Sequence, residues 1–217
     1  MKKLGVLSVL LIGVLGCAVL NQSTIELEPS RLSSLTNPEL VDGNLDTAST
    51  FKIDGYVEKG YEVQRGLTTR GDNSGELRYV TSIKGGFRTE AVIKLDSPTY
   101  ITYIEIYPES RIPRLALVTT LDDPPKFATS FEVVRDKQHT NIDSKQPVKI
   151  QINREVLYLR LTADGIQDKK NSVRVKDETS PFGNKSKKTT RNKDTRIQIP
   201  LKGASIREVK FYAREKL

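Results

Sequence analysis

Residues 100–107 read Tyr-Ile-Thr-Tyr-Ile-Glu-Ile-Tyr. β-branched and aromatic side chains dominate the run, and in an extended chain successive side chains point to opposite faces. Ile101, Tyr103, Glu105 and Tyr107 then share one side, and Thr102, Ile104 and Ile106 the other. The stretch is therefore expected to be a strand. Just before it, residues 89–95 (Thr-Glu-Ala-Val-Ile-Lys-Leu) alternate loosely and stop at Asp96-Ser97-Pro98, a turn signal. Further outward, strands are expected at 115–120, 130–135, 148–152, 156–162, 195–200 and 206–213. Few long windows hold a helical period, and the exceptions are short turns such as the one near Pro38 to Val41. Many short strands separated by turn residues specify an all-β domain, a sandwich or jelly roll.

The chain opens with Met1-Lys2-Lys3, continues in an apolar run from Leu4 to Leu15, and reaches Val14-Leu15-Gly16-Cys17. That order reads as a bacterial lipoprotein signal. The run is too short for the ~20 apolar residues of a bilayer-spanning helix. Small Gly16 leaves room for a peptidase to cut ahead of Cys17, whose thiol then carries lipid. The expected division is a signal peptide at 1–16, a lipidated end and short tether at 17–25, and one β domain at 26–217. Two or more acyl chains, palmitate among them, suffice for stable membrane attachment. Ala18 rather than an aspartate follows the cysteine, so in a two-membrane cell the outer membrane is expected. A plain secretory signal holding a chance cysteine, or an uncleaved anchor, are the alternatives.

Cys17 is the only cysteine, and there is one histidine and no tryptophan. With Cys17 lipidated, no thiol remains for a disulfide, a zinc site or a nucleophile. The histidine, His139, stands in the polar run Asp136-Lys137-Gln138-His139-Thr140-Asn141, and no motif of a serine, zinc or β-lactamase-type hydrolase accompanies it. No catalytic residue is expected. A carboxylate pair of the glycosidase kind is not identifiable from spacing alone, because 27 acids provide many pairs.

Cleavage removes Lys2 and Lys3, which lowers Lys plus Arg from 35 to 33 against 27 acids and leaves a net charge of +6. The excess is concentrated at 167–196, where ten basic residues, among them Lys185, Lys187, Lys188 and Lys193, face four acids. The segment is rich in Ser, Thr, Asn, Gly and Pro, and reads as a long exposed loop with a short strand at 172–176. It is either a solvated insertion or a patch for an anionic partner such as an envelope polymer or an acidic protein face. Nucleic acid is excluded as a partner by the exported location.

Residues 37–51, Asn-Pro-Glu-Leu-Val-Asp-Gly-Asn-Leu-Asp-Thr-Ala-Ser-Thr-Phe, hold a turn at Asp42-Gly43-Asn44. Glycine there takes positive φ without steric cost, and Asp and Asn bond back to nearby amides. Asp42, Asp46 and Thr47 also gather hard oxygens of the kind calcium requires. By composition the run is either an Asx-rich turn or part of a metal site.

Leu40-Val41-Asp42-Gly43-Asn44-Leu45-Asp46-Thr47 resembles the early signature of the discoidin, or coagulation factor 5/8 C-terminal, type of galactose-binding-like domain. Ala91 to Leu95 followed by Ile101 to Tyr107, then Leu157 to Leu161, agree with it in order. Ile206-Arg207-Glu208-Val209-Lys210-Phe211-Tyr212 resembles its closing strand. Two features depart from the pattern. The aromatic usual soon after the Thr is replaced by Ala48-Ser49-Thr50-Phe51, and residues 52–88 and 167–196 are long insertions.

The resemblance implies a jelly-roll β-sandwich of the galactose-binding-like type. It also implies a structural calcium ion held by the Asp42 carboxylate, an Asn44 carbonyl, the Thr47 hydroxyl or carbonyl and the Glu208 carboxylate, with Asp46 a less certain ligand. Such an ion pins the first loop to the last strand. Ligand sites of the family lie in loops at one end and use aromatics with Arg, His and Asn. Arg65, Arg88, Arg111, Lys185, Lys187 and Lys188 are the ligand candidates carried forward, beside Tyr56, Tyr61, Arg70, Arg78, Phe87, Arg114, His139 and Phe182. Two functions fit. One is a membrane-anchored, non-catalytic module for carbohydrate or another envelope polymer. The other is an envelope adaptor that binds a partner protein through the sandwich and its basic loop.

Overall fold

The computed structural model describes residues 23–64, 76–126, 128–135, 141–143, 145–176 and 195–214. The strands are β1 (Thr24–Glu26), β2 (Leu32–Ser33), β3 (Ser49–Thr50), β4 (Tyr56–Gln64), β5 (Glu76–Lys84), β6 (Arg88–Pro108) and β7 (Ala116–Thr120). They continue as β8 (Glu132–Arg135), β9 (Val148–Asp164), β10 (Ile166–Gln167), β11 (Val173–Lys176), β12 (Thr195–Lys202) and β13 (Ser205–Arg214). Helical pieces among the described residues are three-residue 3-10 turns, one of them at Pro38–Leu40. Two antiparallel sheets result, which makes the chain an all-β sandwich. The larger runs β1-β13-β6-β9-β7-β8, with β2 on β6 and β3 on β13; the smaller runs β10-β12-β4-β5, with β11 on β12.

The turn expected at Asp96-Ser97-Pro98 is absent. Residues 88–108 form one strand of 21 residues, and its pairing with β9 is interrupted between Lys94 and Thr99. Pro98 has no N–H to give the ladder, so it fits a gap in pairing and need not end the strand. The strands expected at 148–152 and 156–162 likewise merge into β9. Its register steps from Ile101↔Arg154 to Tyr103↔Gln151, leaving one extra residue on β9, and Asn153 there has φ +51°. This is a β-bulge with an asparagine in the left-handed region, which Asn tolerates better than most residues. On the other side of β6, the pairing with β13 slips between Tyr212 and Ala213. Ile101 is consequently buried with Ile104 and Ile106, instead of sharing the face of Tyr103 as strict alternation requires.

Both halves of β6 feed one core. Ala91, Ile93 and Leu95 come from the first half, Ile104 and Ile106 from the second, and they meet Leu159 and Leu161 of β9 and Val209 and Phe211 of β13.

Both segments expected as insertions contribute strands to the smaller sheet, joined through β12, which is the strand expected at 195–200. Residues 52–88 contain β4 and β5, and β12 pairs with β4 in the register Ile197↔Lys59 and Ile199↔Val57. Sequence reading gave no strands at 52–88, because Tyr-Val-Glu-Lys-Gly-Tyr-Glu-Val-Gln in β4 mixes charge with apolar residues and shows no clean alternation. The buried apolar residues of this sheet are Val57, Ile199 and Leu201. The short strand expected at 172–176 is β11, exposed along its whole length; residues 177–194 lie outside the described residues. β1 already includes Thr24 and Ile25, so the ordered domain reaches into the expected tether.

Candidate functional site

The loop from Asp42 to Thr47 is held by its own polar groups. Asn44 N–H donates to Asp42 Oδ1 at 2.8 Å, and Asp46 N–H to Asn44 Oδ1 at 3.0 Å. The Thr47 hydroxyl lies 2.8 Å from Asp42 Oδ2 and 2.9 Å from the Asn44 carbonyl oxygen. Gly43 has φ +77°, and a Cβ there would press on Pro29, so glycine is required twice over. The loop ends against β13, where Gly43 N–H donates to Glu208 Oε2 at 3.2 Å. Residues 165 positions apart are thereby joined.

Glu208 is 3% exposed. Burial, and then the facing Asp42 carboxylate, raise its carboxyl to about 7, against partial relief from the Gly43 amide and Lys210. Glu208, buried, faces the exposed Asp42 carboxylate, and two facing acids of which one is out of water favour a proton or a cation between them. Asp42 and Glu208, with the Asn44 carbonyl and the Thr47 hydroxyl, form an all-oxygen donor set of the type hard cations prefer. The residues present thus fit the calcium ion that the resemblance implies. Asp46 contributes its amide to the loop, and among the described residues no group of three or more His, Cys, Asp and Glu side chains assembles as a metal centre.

A polar recess of about 600 Å³ opens beside this loop, between residues 35–52 and the start of β6. A hydrogen-bond chain organises its wall. The Thr36 hydroxyl donates to Asn37 Oδ1 at 2.8 Å, Asn37 Nδ2 donates to Ser49 Oγ at 2.9 Å, and Ser49 Oγ donates to Glu39 Oε2 at 3.0 Å. Asn37 and Ser49 are each 5% exposed. The 3-10 turn at Pro38–Leu40 fixes the chain by burying Leu40 completely. Thr50, Lys52, Arg88 and Glu90 complete the polar lining, and fully exposed Leu35 stands at the rim.

Arg88, Thr89 and Glu90 also line a second recess of about 630 Å³, over the outer face of β6, β9, β7 and β8. There Arg160 lies against the Phe131 ring at 4.3 Å, flanked by Val118 and Val133. Arg88 and Arg114 share Asp164, at 3.5 and 3.6 Å.

Of the ligand candidates, Arg88 stands where the two recesses meet. Arg111 is tied to Asp143 at 2.6 Å on another part of the surface. Arg65, Arg70, His139, Phe182, Lys185, Lys187 and Lys188, together with Cys17, lie outside the described residues. Three tyrosines of the large sheet have covered faces, whereas the candidate Tyr61 meets Tyr79 edge-on in the smaller sheet and Tyr79 is exposed. Tyr103 stacks on Tyr212 at 4.4 Å, and Lys149 Nζ lies 3.4 Å from the Tyr103 centroid. Arg214 covers Tyr100 at 4.3 Å. Burial and the nearby Glu26 and Glu105 carboxylates push the Tyr212 hydroxyl well above the usual tyrosine range, so it stays a neutral donor. Sequence reasoning missed Asn37, Glu39, Ser49, Glu90, Phe131 and Arg160, and no local motif marks them, because folding alone brings these loops and strands together.

No protein-family model matches the sequence, and no curated protein matches it. Among solved structures, the family 32 carbohydrate-binding module of Clostridium perfringens NanJ, solved with galactose, is 10% identical. The match covers 88% of this chain and 99% of that one, with a TM-score of 0.45. CpGH89CBM32-4 of the same organism, solved with GlcNAc-α-1,4-galactose, is 15% identical over 88% of this chain and 96% of that one, with a TM-score of 0.42. A chitosan-binding module from a Paenibacillus chitosanase/glucanase is 11% identical over 89% and 96%, with a TM-score of 0.42.

Proposed function

We propose that this chain is a lipid-anchored, non-catalytic glycan-binding module whose binding site is the recess walled by Asn37, Glu39 and Ser49. The supporting observation is the hydrogen-bond chain Thr36-Asn37-Ser49-Glu39. A sugar offers hydroxyls that both donate and accept, so a receptor needs fixed partners of both kinds, which a pre-bonded wall supplies at low entropic cost. Arg88 and Lys52 add donors at the mouth, and Leu35 offers an apolar contact for a ring face. Isothermal titration with galactose-terminated oligosaccharides tests the reading. Asn37→Ala is expected to weaken binding by about tenfold or more, the loss of roughly 1.4 kcal/mol or more. Undiminished binding by a folded Asn37→Ala protein sinks the assignment of this recess.

The anchor in this reading is Cys17. Its support is the order of basic end, apolar run and Gly16-Cys17, and Cys17→Ser is expected to abolish palmitate labelling and release the protein from the membrane fraction. The reading also places calcium on Asp42, Asn44, Thr47 and Glu208. Its support is the donor set and the two facing acids; the ion supplies the positive charge they require and ties the first loop to β13.

A further inference from the structure

The arginines in and next to the large sheet mostly lie against acids. Arg31 meets Asp96 at 2.9 Å, Arg88 meets Asp164 at 3.5 Å and Arg154 meets Glu132 at 2.7 Å. Arg160 departs from this pattern. It has no acidic partner among the described residues, and its Nε–H is buried without an acceptor. The register explains its isolation: Val92↔Arg160, Arg160↔Val118 and Val118↔Val133 form one cross-strand row, so a cation is set among valines. The Arg160 guanidinium carbon lies 4.3 Å from the Phe131 ring centroid, within cation–π range. Val133 beside it is 63% exposed.

An unpaired guanidinium partly withdrawn from water is a poor end state for a fold and a good start for a ligand. Desolvation makes its hydrogen bonds to an anion stronger, and its planar fork matches a carboxylate. Exposed Val133, with half-buried Phe131 and Val118 next to that fork, asks for a ligand whose carboxylate is attached to a body with an apolar face. A pyranose carrying a carboxylate has both parts. The recess also continues, through Arg88 and Glu90, into the one walled by Asn37, so one oligosaccharide can occupy both.

We propose that the Arg160 recess is a subsite for a hexuronate unit, the sugar carboxylate held by Arg160 and the ring lying on exposed Val133 beside Phe131. This rests on the glycan reading of the neighbouring recess and adds the acidic character of the polymer. The test compares a galacturonate tetramer with a galactose tetramer on the full chain, on Arg160→Gln and on Asn37→Ala. The acidic tetramer is expected to bind the full chain about tenfold more tightly, and Arg160→Gln to remove that advantage while changing neutral binding less than about twofold. The Arg160 Nε–H resonance of the unaltered protein should shift on adding the acidic tetramer and not the neutral one, which keeps the proposal testable should Arg160→Gln fold poorly. Equal binding of both tetramers with no shift of that resonance overturns the uronate subsite and leaves the neutral-glycan reading intact. Acidic binding that depends on Arg160, with no neutral binding at all, supports the subsite and removes the neutral reading. Binding of neither tetramer overturns both.

Discussion

The two sheets each bury a glutamate, and the two glutamates are kept in opposite ways. In the smaller sheet Glu58, 7% exposed, receives Arg196 Nη1 at 2.6 Å and Gln198 Nε2 at 3.1 Å. Burial works to raise its carboxyl, but those hydrogen bonds and the Arg196 charge prevail and hold it below the usual range. Gly60 makes the contact feasible, because a Cβ there would meet the Arg196 side chain as it crosses the strand. In the large sheet Glu208 faces another acid and is raised to about 7. A structural acid is neutralised inside the protein; the acid of a candidate site is left for something else to neutralise. The cores differ in the same direction. Among the described residues, 25 buried apolar side chains fill the large sheet and three the smaller one, so the smaller sheet leans on polar pairing.

The strongest way to test that contrast is to cut each core. Phe211→Ala should cost about 3–5 kcal/mol in chemical denaturation, whereas Val57→Ala should cost roughly 1–2 kcal/mol. Equal losses would erase the distinction between a main core and a peripheral one. Glu58→Ala should cost about 2–3 kcal/mol, below the full penalty for breaking a buried pair because Arg196 retains contact with water. Hydrogen exchange should place that loss in β4 and β12; a loss spread evenly over both sheets counts against it.

The pH dependences should run in opposite directions. Glu58 is lowered from 4.5, so the unfolded chain binds its proton more readily. Its stabilisation is therefore present above pH 4.5 and is lost as pH falls below that value. Glu208 is raised from 4.5 to about 7, so the folded, metal-free chain holds the proton more tightly. Stability is then lost as pH rises across that window, by up to roughly 3 kcal/mol. In chelator, Glu208→Gln should flatten the loss between pH 4.5 and 7, and calcium should raise the Tm of the unaltered protein most at pH 7 and above. A Tm indifferent to calcium at pH 7.5 would remove the ion from the site. The smallest effect is expected from Arg31→Ala, an exposed pair with Asp96, at about 0.5 kcal/mol or less.

The large sheet was legible because its strands carry strong local signals. Tyr100 to Tyr107 and Ile206 to Ala213 are dense in β-branched and aromatic residues, and burial of one face forces their register. The joins were not legible. Pro98 reads as part of a turn and residues 153–155 fall between two expected strands, yet each lies within a continuous strand, because a gap in pairing satisfies the proline and a bulge satisfies Asn153. β4 and β5 were missed because a sheet stabilised by Glu58, Arg196 and Gln198 needs no apolar alternation. The Asp42 turn was readable as a turn from Gly43, and its partner Glu208 only through resemblance.

By itself the sequence determined an all-β domain and an Asp-Gly-Asn turn. Those are properties of neighbouring residues, written in composition and period. Tertiary structure decided that strands from the two apparent insertions flank β12 in a second sheet. It also decided that Asp42 meets Glu208, that Asn37, Ser49 and Glu39 form one polar wall, and that Arg160 lies unpaired on Phe131. Each of these joins residues that are not neighbours in the chain, and such a contact exists only when the fold has brought their segments together.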